Sequence, residues 1–301
     1  MDQNHLKSVI ASGAMVMLLS ISAMTKSQEV IDVVSSSASD TTVMVDTASP
    51  DALYGGFGYG NNMVYLGSTI SQNQPFGYAT LVYSPGNEFF ISASAFNLSG
   101  FTPVLSVYTG ALTWSRTFNS WFDLSAGIYG YHVAPQLRDT LFSDFLYTDI
   151  TAGFDWRILY TKISAGGLLG SQSQAYFQLR NSRYFVTPDI FNGKANVSFD
   201  PYFNFIAGTI TTATTISGTD TIISAFPPFG GGKNRTQPST ETIYSRSFRI
   251  MEVDFGLPVS LNFDIMTIEV EAGYLLPLTD DPAFTSSKGF MLQASLFFRI
   301  F

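Results

Sequence analysis

From about residue 54 to its end the chain alternates. In SWFDLSAGIYGYH (120–132), Phe122, Leu124, Ala126 and Ile128 fall on one side of an extended strand, and Asp123, Ser125, Tyr129 and Tyr131 on the other. Successive side chains of a strand point to opposite faces, so this period of two is a strand signature. GFMLQASLFFRIF (289–301) repeats the pattern, with Phe290, Leu292, Ala294, Leu296, Phe298 and Ile300 against Gln293, Ser295 and Arg299. Residues 158–170 set Leu159, Ile163, Ala165 and Leu169 opposite Lys162, Ser164 and Gly166. In EVEAGYLL (269–276), Glu269 and Glu271 share one face while Ile268, Val270, Ala272, Tyr274 and Leu276 share the other.

Read this way, the sequence predicts twelve strands: 61–70, 75–84, 88–97, 102–117, 120–132, 145–156, 158–170, 176–188, 195–209, 243–259, 264–277 and 289–301. Short connections at 84–87, 118–120, 156–158, 188–194 and 260–263 alternate with wider ones at 98–101, 133–144, 210–242 and 278–288. That rhythm fits strands that run up and down between two sides of a membrane. Ten or fourteen strands fit the same texture. GFGYG (56–60) and FGGGK (229–233) lack the strand-to-helix setting of a phosphate loop, and read as a strand entrance and an irregular loop. The longest irregular stretch, 210–242, is the expected external contact surface.

Composition decides what kind of β protein this is. The chain of 301 residues is 46% hydrophobic yet only 13% charged, where a soluble domain carries about a quarter charged residues. A soluble sandwich would place charge on its outward faces. Here the polar faces are mostly Ser, Thr, Gly and Tyr with a few acids, which suits an enclosed interior. The expected fold is therefore all-β: a closed antiparallel transmembrane β-barrel over 54–301. Aromatics near strand ends, such as Tyr83, Trp114, Trp121, Tyr131, Trp156, Tyr184 and Tyr274, fit its interfacial girdles. Residues 1–27 have a lysine, an apolar run and small residues, the layout of a secretory signal peptide, with cleavage after Ala23 or Ser27. Residues 28–53 read as a periplasmic linker or a plug segment. With no cysteine, no disulfide framework holds the exported chain. A net charge of −8 without a basic patch excludes nucleic acid as the expected partner.

The signal segment, the alternation over 54–301 and the strand ending in Phe301 together resemble bacterial outer-membrane β-barrel proteins. The resemblance implies an outer-membrane location, with lipids, the barrel-insertion machinery and other outer-membrane proteins as partners. The terminal aromatic is similar to the signal that machinery reads, although Ser295 and Arg299, not apolar residues, share its parity. A narrower resemblance is to the Asp-Ser/Thr O-glycosylation sequon of Bacteroidota, which would mark Thr41, Thr47, Thr140 and Thr221.

The candidate chemistry is acidic. With a hairpin turn at Leu261-Asn262, Glu252 would face Glu271 and Asp254 would face Glu269, gathering four carboxylates on one lumen wall. Protonation, pairing with a lumen base, or a bound cation would relieve the repulsion. Pairing is the first reading, with Arg299 on the next strand and Lys162, Arg157 or Arg180 elsewhere on the wall as bases. A cation-selective wall is the second, and a discrete metal site the last, since EF-hand spacing and His ligands are absent. No cofactor is expected. Any histidine-dependent catalyst would have to use His132, because His5 leaves with the signal segment, and an interfacial or loop role is the plainer reading.

Twelve tilted strands give a diameter on the order of 25 Å, leaving a narrow lumen that Tyr129, Tyr147, Tyr202 and Phe297 would narrow further. The leading functional expectation is a non-enzymatic, narrow, mildly cation-preferring porin-like channel. The alternative is a closed structural or accessory barrel of a larger outer-membrane complex.

Overall fold

The computed structural model describes residues 51–65, 68–86, 88–138, 140–169, 174–215, 220–224, 242–278 and 288–301. The signal segment, most of 28–53, Thr41, Thr47 and the FGGGK stretch lie outside them. The strands run as β1 (Ala52–Gly60), β2 (Val64–Tyr65), β3 (Ser68–Thr69), β4 (Phe76–Ser84), β5 (Phe89–Leu98) and β6 (Val107–Asn119). There follow β7 (Phe122–Val133), β8 (Phe145–Asp155), β9 (Tyr160–Leu169), β10 (Ala175–Ser182), β11 (Phe185–Val186) and β12 (Ala195–Phe199). The last are β13 (Tyr202–Thr215), β14 (Asp220–Ser224), β15 (Thr242–Phe263), β16 (Met266–Pro277) and β17 (Gly289–Arg299).

Twelve of these form the wall, in the ring β1-β4-β5-β6-β7-β8-β9-β10-β13-β15-β16-β17, and every neighbouring pair is antiparallel. β17 pairs back onto β1, Gly58 opposite Ser295, so the sheet has no open edge along the ring. β11 and β12 continue β10 and β13 past a break at 183–184 and 200–201. Tight connections and both ends of the described chain gather at one rim, the turn end, which is the periplasmic side in barrels of this type. The longer connections gather at the opposite, loop end.

Every wall strand turns large apolar side chains outward. Phe57, Leu81, Ile91, Leu112, Ile150, Phe203 and Leu257 are each 40% exposed or more, as are Ile268, Val270 and Leu292. Their neighbours Glu269 and Gln293, at 1% and 4%, point inward. A continuous apolar coat of this extent would be a severe aggregation hazard in water and is the normal outer surface of a barrel in lipid.

Two expectations are corrected. The first wall strand is Ala52–Gly60, not 61–70. Glycine is a weak strand former, which makes ALYGGFGYG read as an entrance. Here Gly56, Gly58 and Gly60 face the rings of Phe297, Tyr78 and Phe76, where any Cβ would collide. The second correction is the register of the β15–β16 hairpin. Alternation continues through Val259-Ser260-Leu261-Asn262-Phe263 and the turn falls at Asp264-Ile265, so Glu252 lies opposite Pro277 and Asp254 opposite Leu275. The offset of six residues is even. The acids therefore keep the inward face predicted for them but are not opposed to one another.

Candidate functional site: the barrel lumen

β10, β13, β15 and β16 bring the predicted acids together with partners from neighbouring strands. Glu252, Asp254, Glu269 and Glu271 are 0%, 1%, 1% and 4% exposed. Glu271 lies opposite Pro258, diagonal to Gly256 two residues along β15. Because Gly256 has no Cβ, the Tyr202 ring lies flat across β15, and its hydroxyl donates to Glu271 Oε1 at 2.6 Å. The Arg180 guanidinium sits 3.8 Å from the centre of that ring, and its charge bears on both Glu271 and Asp254. Asn204 Nδ2 donates to Asp254 Oδ2 at 2.8 Å, Gln178 Nε2 to Asn204 Oδ1 at 2.9 Å, and Tyr176 to Gln178 Oε1 at 3.3 Å. Ser260, opposite Glu269, donates to its Oε2. Asp254 and Glu271 are thus held by polar contacts that span four strands, with Arg180 as their cation, while Glu269 is held separately by Ser260.

The other candidate bases lie elsewhere. Lys162 faces inward at 8% exposure beside Arg180, its partner across β9–β10, and the charge of Asp123 acts on it. Tyr160 links to that same Asp123, donating to Oδ2 at 2.7 Å. Arg157 is not on the lumen wall. It occupies the exposed β8–β9 turn at φ 71°, with its N–H on Asp155 and its carbonyl accepting from Arg183. Arg299 lies beyond the last β16 partner, at the turn rim, where its backbone N–H meets Ile265 O at 2.8 Å. Sequence parity put Lys162 on the inward face correctly, misplaced Arg157, and carried no information on height along the axis. Among the described residues no three His, Asp or Glu side chains converge as metal ligands.

Around and beyond the acids the lumen holds a large apolar cluster. Tyr129, Tyr147, Tyr202 and Phe297 all point inward and are buried, as are Phe76, Phe96, Leu98 and Val107. Two loops pack into the apolar cluster formed by all of these but Tyr202. Residues 61–65 and 68–75, with β2 and β3, insert Met63 and Ile70; residues 134–138 and 140–144, with a 3-10 turn at Pro135–Leu137, insert Leu137, Leu141 and Phe142. Asn62 organises the first loop, accepting from Thr69 at 2.6 Å and Ser71 at 2.9 Å and donating to Asn73 at 2.9 Å. Gln72 Nε2 donates to Thr140 O at 2.9 Å and ties the loops together. Along the wall Thr80, Ser94, Thr109, Asp149, Ser164, Gln178, Asn204, Asp254, Glu271 and Gln293 face inward and are buried.

Outside the lumen, His132 faces outward at the loop end of β7, its Nδ1 2.8 Å from Asp144 Oδ2. Sequence reading had not paired the two, since Asp144 lies in the loop where no period operates. Thr140 is exposed in the same loop, and Thr221 falls in β14, outside the wall ring.

No family model matches the sequence, and no curated protein does. Solved structures with a similar course include the NanC porin, at 7% identity and TM-score 0.43, covering 82% of this chain and 99% of that one. LpxR from Salmonella typhimurium gives 7% and 0.43 over 81% and 99%. Omp33 of Acinetobacter baumannii gives 9% and 0.36 over 83% and 97%. Likenesses at this level carry no argument of their own. The closed ring, the apolar coat and the polar, acid-bearing interior do: they are those of an outer-membrane β-barrel, and they place the protein in that membrane.

Proposed function

We propose that this outer-membrane barrel, porin-like in its architecture, is closed in its resting state and works as a structural or accessory barrel, engaged by other outer-membrane proteins through its loops and outer wall. The observation that carries the reading is the packed lumen: Asp254 and Glu271 are held by Asn204, Tyr202 and Arg180, and Met63, Ile70, Leu137, Leu141 and Phe142 from two loops pack into the apolar interior toward the loop end. A diffusion channel needs a wet path, and side chains committed to one another do not provide it. Planar-bilayer recording tests this. The purified barrel gives no steady current; a steady, cation-biased current from the wild type would overturn the closed reading.

The second reading, a narrow cation-preferring channel, is favoured by one observation. Six inward acids, Asp123, Asp149, Glu252, Asp254, Glu269 and Glu271, share the lumen with Lys162 and Arg180, an excess of negative charge that would attract cations once the loops moved. Neither reading is enzymatic, so His132→Ala leaves both the silent barrel and any opened conductance unchanged. The Bacteroidota sequon reading is now testable at Thr140, where intact-mass measurement on native protein would reveal a glycan that Thr140→Ala removes.

A further inference from the structure

One sector of the lipid-facing wall is dented. Gly110 on β6 and Gly130 on β7 are direct register partners on the outward face. Most of the lumen glycines are demanded by packing, because a Cβ at Gly56, Gly127 or Gly256 would strike an aromatic ring. These two are not: a Cβ on either would meet nothing closer than 3.9 Å. Glycine weakens a strand interior, and where internal packing does not require it, close approach of a ligand is an established reason for it. The missing side chains open a groove of about 480 Å³, with Gly110 and Gly130 in it, Leu146 and Leu169 to one side, and Tyr108 and His132 toward the loop end.

The loop-end rim of the groove is polar. Asp144 is fully engaged within the rim: Oδ1 accepts from Val133 N at 3.0 Å, and Oδ2 lies 2.8 Å from His132 Nδ1 and 2.7 Å from Arg138 Nη2. The carboxylate orients the His132 ring and the Arg138 guanidinium, whose side chains remain 53% and 44% exposed. The arrangement is amphiphilic along the strand direction: an apolar trough at membrane depth, then an aromatic ring, then the exposed N–H donors of His132 and, just outside the groove lining and paired with Asp144, of Arg138. We propose that it is a binding site for an anionic membrane lipid, with an acyl chain lying on Gly110 and Gly130 and the phosphate against Arg138 and His132.

The test uses the full-length barrel, stripped in detergent and returned to nanodiscs that contain phosphatidylglycerol and phosphatidylcholine, with retained lipid read by native mass spectrometry. Wild type is expected to retain phosphatidylglycerol preferentially. Gly130→Leu, which fills the trough, and Arg138→Gln, which removes the cation from an exposed loop, each reduce that retention roughly tenfold. Strand content by circular dichroism verifies that both variants fold. Equal retention of the two lipids by wild type, or undiminished preference in the folded Arg138→Gln variant, would overturn the proposal.

Discussion

Tyr202 occupies its place because of a residue two strand positions from the one it binds. Its ring fits only because Gly256 opposite it has no side chain, and its hydroxyl then reaches Glu271 on the following strand. Gly256→Ala drives a methyl group into that ring, and over-packing of this kind costs about 1–3 kcal/mol. Tyr202→Phe keeps the packing but leaves a buried carboxylate oxygen without its donor, a loss of about 1–3 kcal/mol. Urea unfolding of the barrel in lipid vesicles measures both, and the alanine variant alone should displace the Arg180 side chain, which rests on the ring. Arg157 shows the opposite case, since its charge was legible but its place was not. A positive φ in a tight turn put it outside the wall, and neutralising it should leave the lumen network undisturbed.

At the scale of the element, β15 sets where the acids stand. It runs 22 residues and carries a bulge near Met251, where Ile206 pairs with Glu252 but Ala207 pairs with Ile250. Met251 and Glu252 consequently both turn inward, and the alternation changes phase beyond them. A short reading of this strand places the turn too early and the carboxylates face to face. The register can be checked directly in a chain with no native cysteine. Ser260→Cys with Glu269→Cys puts two thiols on paired residues, and the variant should cross-link on oxidation. Asp254→Cys with Glu269→Cys, adjacent in the register that the sequence suggested, should not. The loops are the second element-scale determinant. Replacing 62–72 with a short Gly-Ser link removes Met63, Ile70 and the Asn62 network together, and should convert a silent barrel into one with measurable, cation-biased conductance.

At the scale of the molecule, the described residues close a ring of twelve wall strands with an apolar outer face suited to lipid and an interior filled by its own side chains. Closure predicts a folded form that resists denaturing detergent at room temperature and shifts in gel mobility only after heating, because no strand edge is left along the ring for local unzipping. Fold class, strand number and the two faces of most strands were legible in the sequence. Ile268, Val270, Leu292 and Ile128 read as outward and are outward; Glu269, Glu271, Gln293 and Asp123 read as inward and are inward. The physical reason is that lipid imposes a period of two on each strand separately, so a few residues suffice to read it. Quantities that join one strand to another were not available there. The offset of the β15–β16 hairpin, the choice of Arg180 over Arg299 and Arg157, the pairing of Asp144 with His132 and the filling of the lumen by 61–75 and 134–144 depend on heights and distances between segments. Alternation fixes only which way a side chain points, and the closed tertiary structure alone decides which other side chain it meets.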